Sequence, residues 1–246
     1  MSRTVIVGAS AGVGRSIAER LAEDRHELFL IATDIADLTP QQKDLQLRFR
    51  TRVAVMAVDL RSFDATALRN EVFGQLGGID NVVVVAGASD PQVDSGPIDP
   101  GFVRDLIEVN FLGAVDIVNA FLPDLATAPQ GNLVGIGSVA GVRGRSNNMV
   151  YGAAKRGLET YFEACRHWLA RQGGACVQFY RLGFVATSMT FGQSTPLPAA
   201  SPEAIAERIA KNLGKDIGMC YLPNWWALVM TVLQFVPWFV FKRLNI

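Results

Sequence analysis

The sequence has little cysteine and no excess of charge. Among its 246 residues are three cysteines, and 23 basic side chains balance 23 acidic ones. Cys165, Cys176 and Cys220 are widely spaced and match neither a metal-ligand nor a disulfide pattern, so we expect free thiols and no metal site. The zero net charge argues against a large electrostatic surface for nucleic acid, and no nucleic-acid partner is expected.

The N-terminus lacks the features of a secretory signal. A basic segment followed by an apolar segment should come first, but a strand-like run, residues 4–7, begins almost at once and ends in glycine. We therefore expect a cytoplasmic protein, either free or peripheral on the inner face of a membrane.

Short apolar runs alternate with helix-length amphipathic segments along most of the chain. The seven predicted strands are residues 4–7, 27–31, 52–58, 81–85, 132–137, 176–182 and 219–222. Continuous apolar strands are typical of a parallel sheet covered on both faces. Between the first two strands, Val13, Ile17 and Leu21 recur at helical spacing. This alternation predicts an α/β domain over residues 1–222, with a doubly wound, seven-stranded parallel sheet and helices on both faces, and then a hydrophobic helical tail, residues 223–246.

The stretch VGASAGVG, residues 7–14, follows the first predicted strand and precedes the first predicted helix. Glycine lets the backbone turn tightly and approach a pyrophosphate, and the new helix offers unpaired N–H groups to the phosphates. The spacing of Gly8, Gly12 and Gly14 differs, however, from the common G-x-G-x-x-G pattern. By itself the stretch also fits a glycine-rich turn that binds no ligand.

Four polar residues further along have the chemistry of a site. Tyr151 and Lys155 lie one turn apart on a predicted helix, where an ammonium lowers the pKa of tyrosine from about 10 and makes a general acid–base pair. Ser138 ends the fifth predicted strand, where ligands bind in open α/β sheets. Asn110 is polar within an apolar helical segment. Each residue also has an ordinary structural explanation, and their joint order after the glycine turn favours a site.

Taken together, these motifs resemble those of the short-chain dehydrogenase/reductase family over residues 4–222. Four segments match motifs of that family: GASAGVG its cofactor-binding turn, VDL its adenine-contacting segment, VVAG its Asn-Asn-Ala-Gly motif and RLGFVATSM its R-P-G-x-V-x-T motif. Two asparagines and a proline of the family pattern are replaced, by Val84, Val85 and Leu182. The resemblance implies a Rossmann-type fold and an NAD(P)-dependent oxidoreductase that transfers hydride between a nicotinamide and a carbonyl or secondary alcohol. It also implies a homodimer or homotetramer.

The resemblance also implies roles for the four polar residues. Tyr151 donates a proton to a carbonyl oxygen as hydride is transferred, and Ser138 holds that oxygen. Lys155 lowers the pKa of Tyr151 and binds the nicotinamide ribose. Asn110 supports a water that connects Lys155 to solvent.

The resemblance further gives a set of cofactor contacts. They are Gly8, Ser10, Ala11, Gly12, Val13, Gly14, Thr33, Asp34, Asp59, Leu60, Ala86, Gly87, Tyr151, Lys155, Gly183, Val185 and Thr187. Of these, Asp59 is expected at the adenine and Thr187 at the nicotinamide carboxamide. An acid at the end of the second strand favours NAD and an arginine favours NADP. Ala32 and Thr33 occupy the two usual positions and are neither, with Asp34 adjacent, so the cofactor is NADP or NAD, with NADP preferred.

The tail is an uncharged run of 25 residues, 217–241, followed directly by Lys-Arg. Its three tryptophans are typical of a membrane interface. Its apolar core, residues 225–241, is 17 residues long, at the short limit for a membrane span, and Pro237 interrupts it. The tail therefore has three interpretations: an interface with a twin subunit, an anchor on a membrane surface, or a membrane span.

The tail is also similar to the C-terminal segment of decaprenylphosphoryl-2-keto-ribose reductases, which reduce a keto-sugar carried on a lipid. That similarity implies a lipid-linked or otherwise apolar carbonyl substrate. The proline-rich loop of residues 188–202 is predicted to be a lid over it. One alternative is a soluble 3-oxoacyl-carrier reductase, with Arg143 and Arg145 as a basic patch for an acidic carrier. The other is a non-catalytic dinucleotide-binding sensor or scaffold.

Overall fold

A computed structural model describes residues 1–190 and 197–244 and shows seven strands in one parallel sheet. The strands are β1 Arg3–Val7, β2 Glu27–Ala32, β3 Val53–Ala57, β4 Asn81–Val84, β5 Asn132–Ser138, β6 Cys176–Leu182 and β7 Gly218–Leu222. The helices are α1 Gly12–Glu23, α2 Ile35–Phe49, α3 Ala65–Leu76, α4 Pro100–Ile107, α5 Gly113–Ala126, α6 Met149–Gln172, α7 Pro202–Asn212, α8 Trp226–Phe235 and α9 Trp238–Phe241. The predicted doubly wound fold is confirmed, and each predicted strand is present to within one residue at either end.

Alternate side chains of the strands pack into opposite helical layers. In β1, Val5 and Val7 join a buried cluster with α3, α5 and α6. Ile6, between them, joins the cluster formed with α1, α2 and α7. Because both faces are covered, consecutive side chains of a central strand are buried, which explains the uninterrupted apolar runs at residues 5–7 and 82–84.

The strand order β3-β2-β1-β4-β5-β6-β7 reverses direction between β1 and β4. The chain builds outward from β1 to β3, then returns to the other side of β1 and builds outward again. Ligands bind at such a switch point, beyond the carboxyl ends of the strands. Here those ends stay close together, because Val85 and Ala86 both donate their backbone N–H groups to the carbonyl of Val7.

The segment before β5 is one long helical run with a wide turn in its middle. Between α4 and α5, residues Glu108–Leu112 form a π-helical turn, in which Gly113 N–H donates to the Glu108 carbonyl five residues earlier. The sequence pattern predicts regular helical spacing here, so the wide turn is a correction. By length and composition alone, residues 100–126 could cross a membrane. In this protein, however, α5 lies in the core with Phe121 fully buried.

The tail folds back onto the body of the protein. Helix α8 buries Trp226 and Met230 in a small cluster with Val139. It has 10 residues and ends before Pro237. At about 15 Å it reaches only about half-way across a hydrocarbon core, so within the described residues the tail forms no membrane span. The division of the chain at residues 222 and 223 stays a prediction.

Candidate active site

A cavity of about 910 Å³ opens at the carboxyl ends of the central strands. It collects most of the residues that the sequence predicts for the site. Those that line it are Gly8, Ser10, Ala11, Gly12, Val13, Thr33, Asp59, Leu60, Ala86, Gly87, Ser138, Tyr151, Lys155, Gly183, Val185 and Thr187. Gly14, Asp34 and Asn110 are not part of the lining, and each lies outside it for a different physical reason.

The glycine turn forms a close-packed cradle at the start of α1. Gly8 has φ +86°, and a Cβ there would lie 2.6 Å from the Ala86 backbone nitrogen. A Cβ on Gly14 would lie 2.0 Å from the Gly8 carbonyl oxygen, so Gly14 brings the helix against the turn and stays behind the cavity wall. The cap residue of α1, Ala11, provides no side-chain hydrogen bond, which leaves the first N–H groups of the helix for an anion. These features fit the pyrophosphate of a dinucleotide.

Asn110 is fully buried behind the cavity, inside the π-helical turn. Its Nδ2 donates to the carbonyls of Ala88 at 2.8 Å and Leu106 at 2.9 Å, and its Oδ1 accepts from Ala88 N–H at 3.2 Å. A Cβ on Gly87 would lie 2.8 Å from Asn110 Oδ1 and 2.9 Å from Lys155 Nζ. Asn110 therefore fixes the chain segment that follows β4, and the missing side chain of Gly87 lets Asn110 and Lys155 approach it.

The Tyr151–Lys155 pair is present on α6, and burial shifts the pKa of both side chains. Lys155 Nζ donates to the carbonyls of Ala86 and Ile136, each at 3.3 Å, and lies 5.8 Å from the centre of the Tyr151 ring. Burial lowers the pKa of Lys155 to about 8. Burial also raises the pKa of Tyr151, and a hydrogen bond with Ser138 only partly opposes this. In the protein alone, desolvation is therefore the largest influence on the pKa of Tyr151, and the lowering of that pKa by Lys155 stays a prediction.

Ser138 links the end of β5 to the turn that leads toward α6. Its Oγ accepts the Ala140 backbone N–H at 3.1 Å and caps the short 3₁₀ turn Val139–Gly141. The hydroxyl lies on the cavity beside Tyr151. Ser138 therefore has the ordinary structural role of capping a turn, and its hydroxyl can also contact a ligand in the cavity.

Asp94 is a residue of this region that the sequence pattern does not reveal. Its carboxylate is fully buried and accepts the backbone N–H groups of Val150 at 2.8 Å and Tyr151 at 2.9 Å. Asn148, the residue before α6, has φ +65° and makes no capping bond. Asp94 thus caps α6 from a distant loop. A capping residue normally directly precedes its helix, so no local signature marks Asp94.

The end of the cavity where the sequence predicts the adenine combines an ion pair with an uncharged residue after β2. Asp59 forms a two-point ion pair with Arg61, which holds the pKa of Asp59 down to about 2. Thr33, after β2, lines the cavity. Asp34 is the N-cap of α2, because its Oδ1 accepts the Ala36 N–H at 2.8 Å. The structure therefore does not bring Asp34 into the cavity.

Helix α8 provides one wall of the cavity. Trp226, Val229, Met230 and Leu233 line the cavity at helical spacing. A Cβ on Gly183 would lie 1.8 Å from Trp226 Nε1, so this glycine makes room for the indole ring. Of the predicted lid, residues 191–196 lie outside the described residues.

Two neighbouring arginines have different surroundings. Arg143 donates to the carbonyls of Leu233 and Gln234, at the end of α8, and its guanidinium lies 3.6 Å from the centre of the Phe241 ring. Arg145 lines the cavity instead. The tail thus holds one of the two arginines predicted as a basic patch for an acidic carrier, and the patch stays a prediction.

The cradle for a dinucleotide and the tyrosine–lysine pair beside it define an oxidoreductase that depends on NAD(P). The chain belongs to the short-chain dehydrogenase family, which matches residues 2–196. It is therefore an enzyme, and the non-catalytic sensor or scaffold is set aside.

Named relatives agree with this class. An uncharacterized oxidoreductase of Myxococcus xanthus is 32% identical over 198 residues, 80% of this chain and 77% of that protein. The human very-long-chain 3-oxoacyl-CoA reductase is 26% identical over 215 residues, 85% of this chain and 68% of that protein. Among solved structures, L-sorbose reductase of Gluconobacter frateurii, complexed with NADPH and L-sorbose, shares the fold, with a TM-score of 0.79, 20% identity and coverage of 89% and 94%.

Proposed function

We propose that this enzyme reduces a carbonyl group on a substrate with a long apolar part, and that a lipid-linked keto-sugar is the first candidate. The observation that carries the proposal is the cavity wall formed by α8. Every side chain that this helix adds to the cavity is large and apolar. Burial of such surface against a lipid chain is favourable in proportion to the apolar area removed from water.

The four polar residues then have distinct tasks. The nicotinamide cofactor supplies the hydride. Tyr151 gives its hydroxyl proton to the carbonyl oxygen, and Ser138 holds that oxygen by a hydrogen bond. Lys155 uses two of its three donors on backbone carbonyls, and its third is available for a ribose hydroxyl. Asn110 keeps the chain beside Lys155 in place.

We propose NADP rather than NAD as the preferred cofactor. In the described part of the cavity, the position after β2 is Thr33, which has no carboxylate to bind the ribose hydroxyls and repel a 2′-phosphate. The adjacent acid, Asp34, is occupied as the cap of α2. The fold relative from Gluconobacter frateurii, which was solved with NADPH, agrees with this choice.

The outer face of α8 and α9 supports contact with a membrane surface. Phe235 is 80% exposed and Trp238 is 69% exposed, and Leu228, Val232 and Phe239 extend the same apolar surface. Lys242 and Arg243 follow directly, as in segments that bind anionic lipid. The substrate would then pass from the bilayer to the inner face of the same helix. The homodimer or homotetramer stays a prediction, and burial of this surface between subunits is the competing outcome.

A 3-oxoacyl thioester is the second candidate substrate. It is favoured by the name of the human relative, a very-long-chain 3-oxoacyl-CoA reductase, and by the apolar wall, which also suits an acyl chain. Docking of an acidic carrier protein is less well supported, since Arg143 contacts the tail.

A substrate panel tests the proposal. The purified enzyme is assayed with NADPH and NADH against a lipid-linked 2-keto-sugar, a long-chain 3-oxoacyl thioester and a short-chain ketone. We expect the highest kcat/KM for the lipid-linked compound, and Tyr151→Phe should abolish turnover without changing NADPH affinity. Tyr161→Phe, on the same helix outside the cavity, is the control. Unimpaired turnover of Tyr151→Phe would remove the acid assignment, and a preference for the short ketone would remove the lipid substrate.

Flotation with anionic phospholipid vesicles tests the membrane contact. The wild type should float with the vesicles, and a Phe235→Ser, Phe239→Ser double variant should not. If the wild type stays in solution, and its sedimentation instead shows a dimer that the double variant loses, then the tail surface is a subunit interface.

A further inference from the structure

We propose that Arg145 forms a subsite for an oxyanion, a phosphate or a carboxylate, carried by the substrate beside its reacting carbonyl. The subsite rests on the proposed function, since it adds a charged group to the apolar carbonyl substrate. Such a substrate is amphipathic, with its anion at Arg145 and its apolar chain along α8.

The first support is the unpaired state of the Arg145 side chain. It is half-buried and lines the cavity, and within residues 1–190 and 197–244 it has no ion pair and no hydrogen bond. Arg143, only two residues earlier, instead donates to carbonyls at the end of α8 and lies over the Phe241 ring. Burial lowers the pKa of Arg145, which shows that its charge is poorly solvated. A guanidinium has only donors and stays charged, so the natural partner is an oxyanion.

The second support is the charge of the surroundings. In the described lining of the cavity, the single carboxylate is Asp59, and it is already paired with Arg61 beyond the end of β3. Nothing on the substrate side therefore neutralises Arg145. An unpaired guanidinium in the cavity wall favours a ligand that brings acceptors.

The third support is the position of Arg145 in the chain. It lies between Ser138, which holds the carbonyl oxygen in our proposal, and Tyr151, which protonates it. The glycine cradle for the cofactor pyrophosphate follows β1, whereas Arg145 follows β5, on the other side of the switch point between β1 and β4. Arg145 therefore belongs with the substrate and not with the cofactor phosphates.

Small amphiphiles of equal chain length serve as probes. Decyl phosphate, decanoate and decanol are titrated into the enzyme with NADPH, and binding is measured by calorimetry, which does not depend on turnover. In Arg145→Gln, we expect the affinity for at least one anionic probe to fall about tenfold or more, as for loss of a charged hydrogen bond, while decanol binds as before. Arg171→Gln, at the exposed end of α6, is the matched control and should change nothing.

The outcomes separate the possibilities. Loss confined to decyl phosphate identifies a phosphate, and loss confined to decanoate identifies a carboxylate. An equal loss for decanol shows a packing role and overturns the subsite, as does an unchanged affinity for both anions. Weaker NADPH binding by Arg145→Gln would assign Arg145 to the cofactor and also overturn it. If the wild type reduced no carbonyl compound, the proposed function would fail. Calorimetry would still show whether Arg145 binds an oxyanion, because it does not depend on turnover.

Discussion

The buried carboxylate of Asp94 accepts the backbone N–H of Tyr151 at 2.9 Å. Its other oxygen accepts the N–H of Val150, so both oxygens serve the first turn of α6. The first turn of the helix that carries the proposed proton donor is therefore capped by an acid that lies 57 residues before Tyr151 in the chain. This contact fixes the position of Tyr151 relative to Ser138, which lies at the end of β5.

Asp94→Asn should lower kcat about ten- to hundredfold, because a small displacement of a catalytic group has an effect of that size. The amide can accept one of the two N–H groups but turns its own NH₂ toward the other. Steady-state kinetics should show KM for the carbonyl compound and affinity for NADPH within about twofold of the wild type. The exposed Asp90, on the same loop, provides the control Asp90→Asn. A variant with lower melting temperature but unchanged kcat would show that Asp94 acts on stability alone.

Gly87→Ala should disturb the packing of Gly87 against Asn110 and Lys155. The new methyl group would overlap Asn110 Oδ1 and Lys155 Nζ, and overpacking of this kind costs about 1–3 kcal/mol. We expect a lower free energy of unfolding in urea and a lower kcat together. Gly74→Ala, on the exposed face of α3 with open space around it, is the control and should gain up to about 1 kcal/mol. Equal stability of the two variants would contradict the close packing at Gly87.

The sequence predicts the sheet because its central strands contain runs of consecutive apolar residues, a direct consequence of burial on both faces. It also predicts the glycine turn, Ser138, Tyr151 and Lys155, because their chemistry is tied to their order along the chain. Asp94 could not be predicted, since its contact with α6 arises only when a loop folds back over the helix. The rise in the pKa of Tyr151 could not be predicted for the same reason. The sequence shows a nearby lysine but not the burial that raises this pKa.

Thr33→Asp should shift the cofactor preference from NADPH toward NADH. A carboxylate at this position would accept the ribose hydroxyls and repel the 2′-phosphate. We expect kcat/KM with NADPH to fall about tenfold or more and kcat/KM with NADH to rise. Asp34→Asn removes the neighbouring charge but can still cap α2, so it should leave the preference unchanged. A changed preference in Asp34→Asn would mean that Asp34 contacts the cofactor after all.

Burial of Lys155 should make stability depend on pH in a defined window. Its pKa falls from 10.5 to about 8 in the folded protein, so between pH 8 and 10.5 the unfolded chain binds more protons and stability rises with pH. Relative to Lys155→Met, the free energy of unfolding of the cofactor-free wild type should rise by up to about 3 kcal/mol across this window. Below pH 8 the difference should be flat, since both states are protonated. A difference that stays flat up to pH 10 would show that Lys155 keeps its ordinary pKa.

Arg143 should control how well the enzyme binds long substrates, although it does not face the cavity. Its guanidinium holds the carbonyls of Leu233 and Gln234 and stacks on Phe241, so it fixes both tail helices against the segment after β5. In Arg143→Gln, we expect KM for a long-chain ketone to rise about tenfold, as for the loss of a charged hydrogen bond, while kinetics with a short ketone stay unchanged. Lys242→Gln, which changes a tail cation outside this contact, is the control. A lower apparent kcat with both ketones would show a loss of folded enzyme, and the same rise in KM for both would show that Arg143 affects the site as a whole. A rise in KM confined to the long ketone means that α8 must be held in place to form the apolar wall.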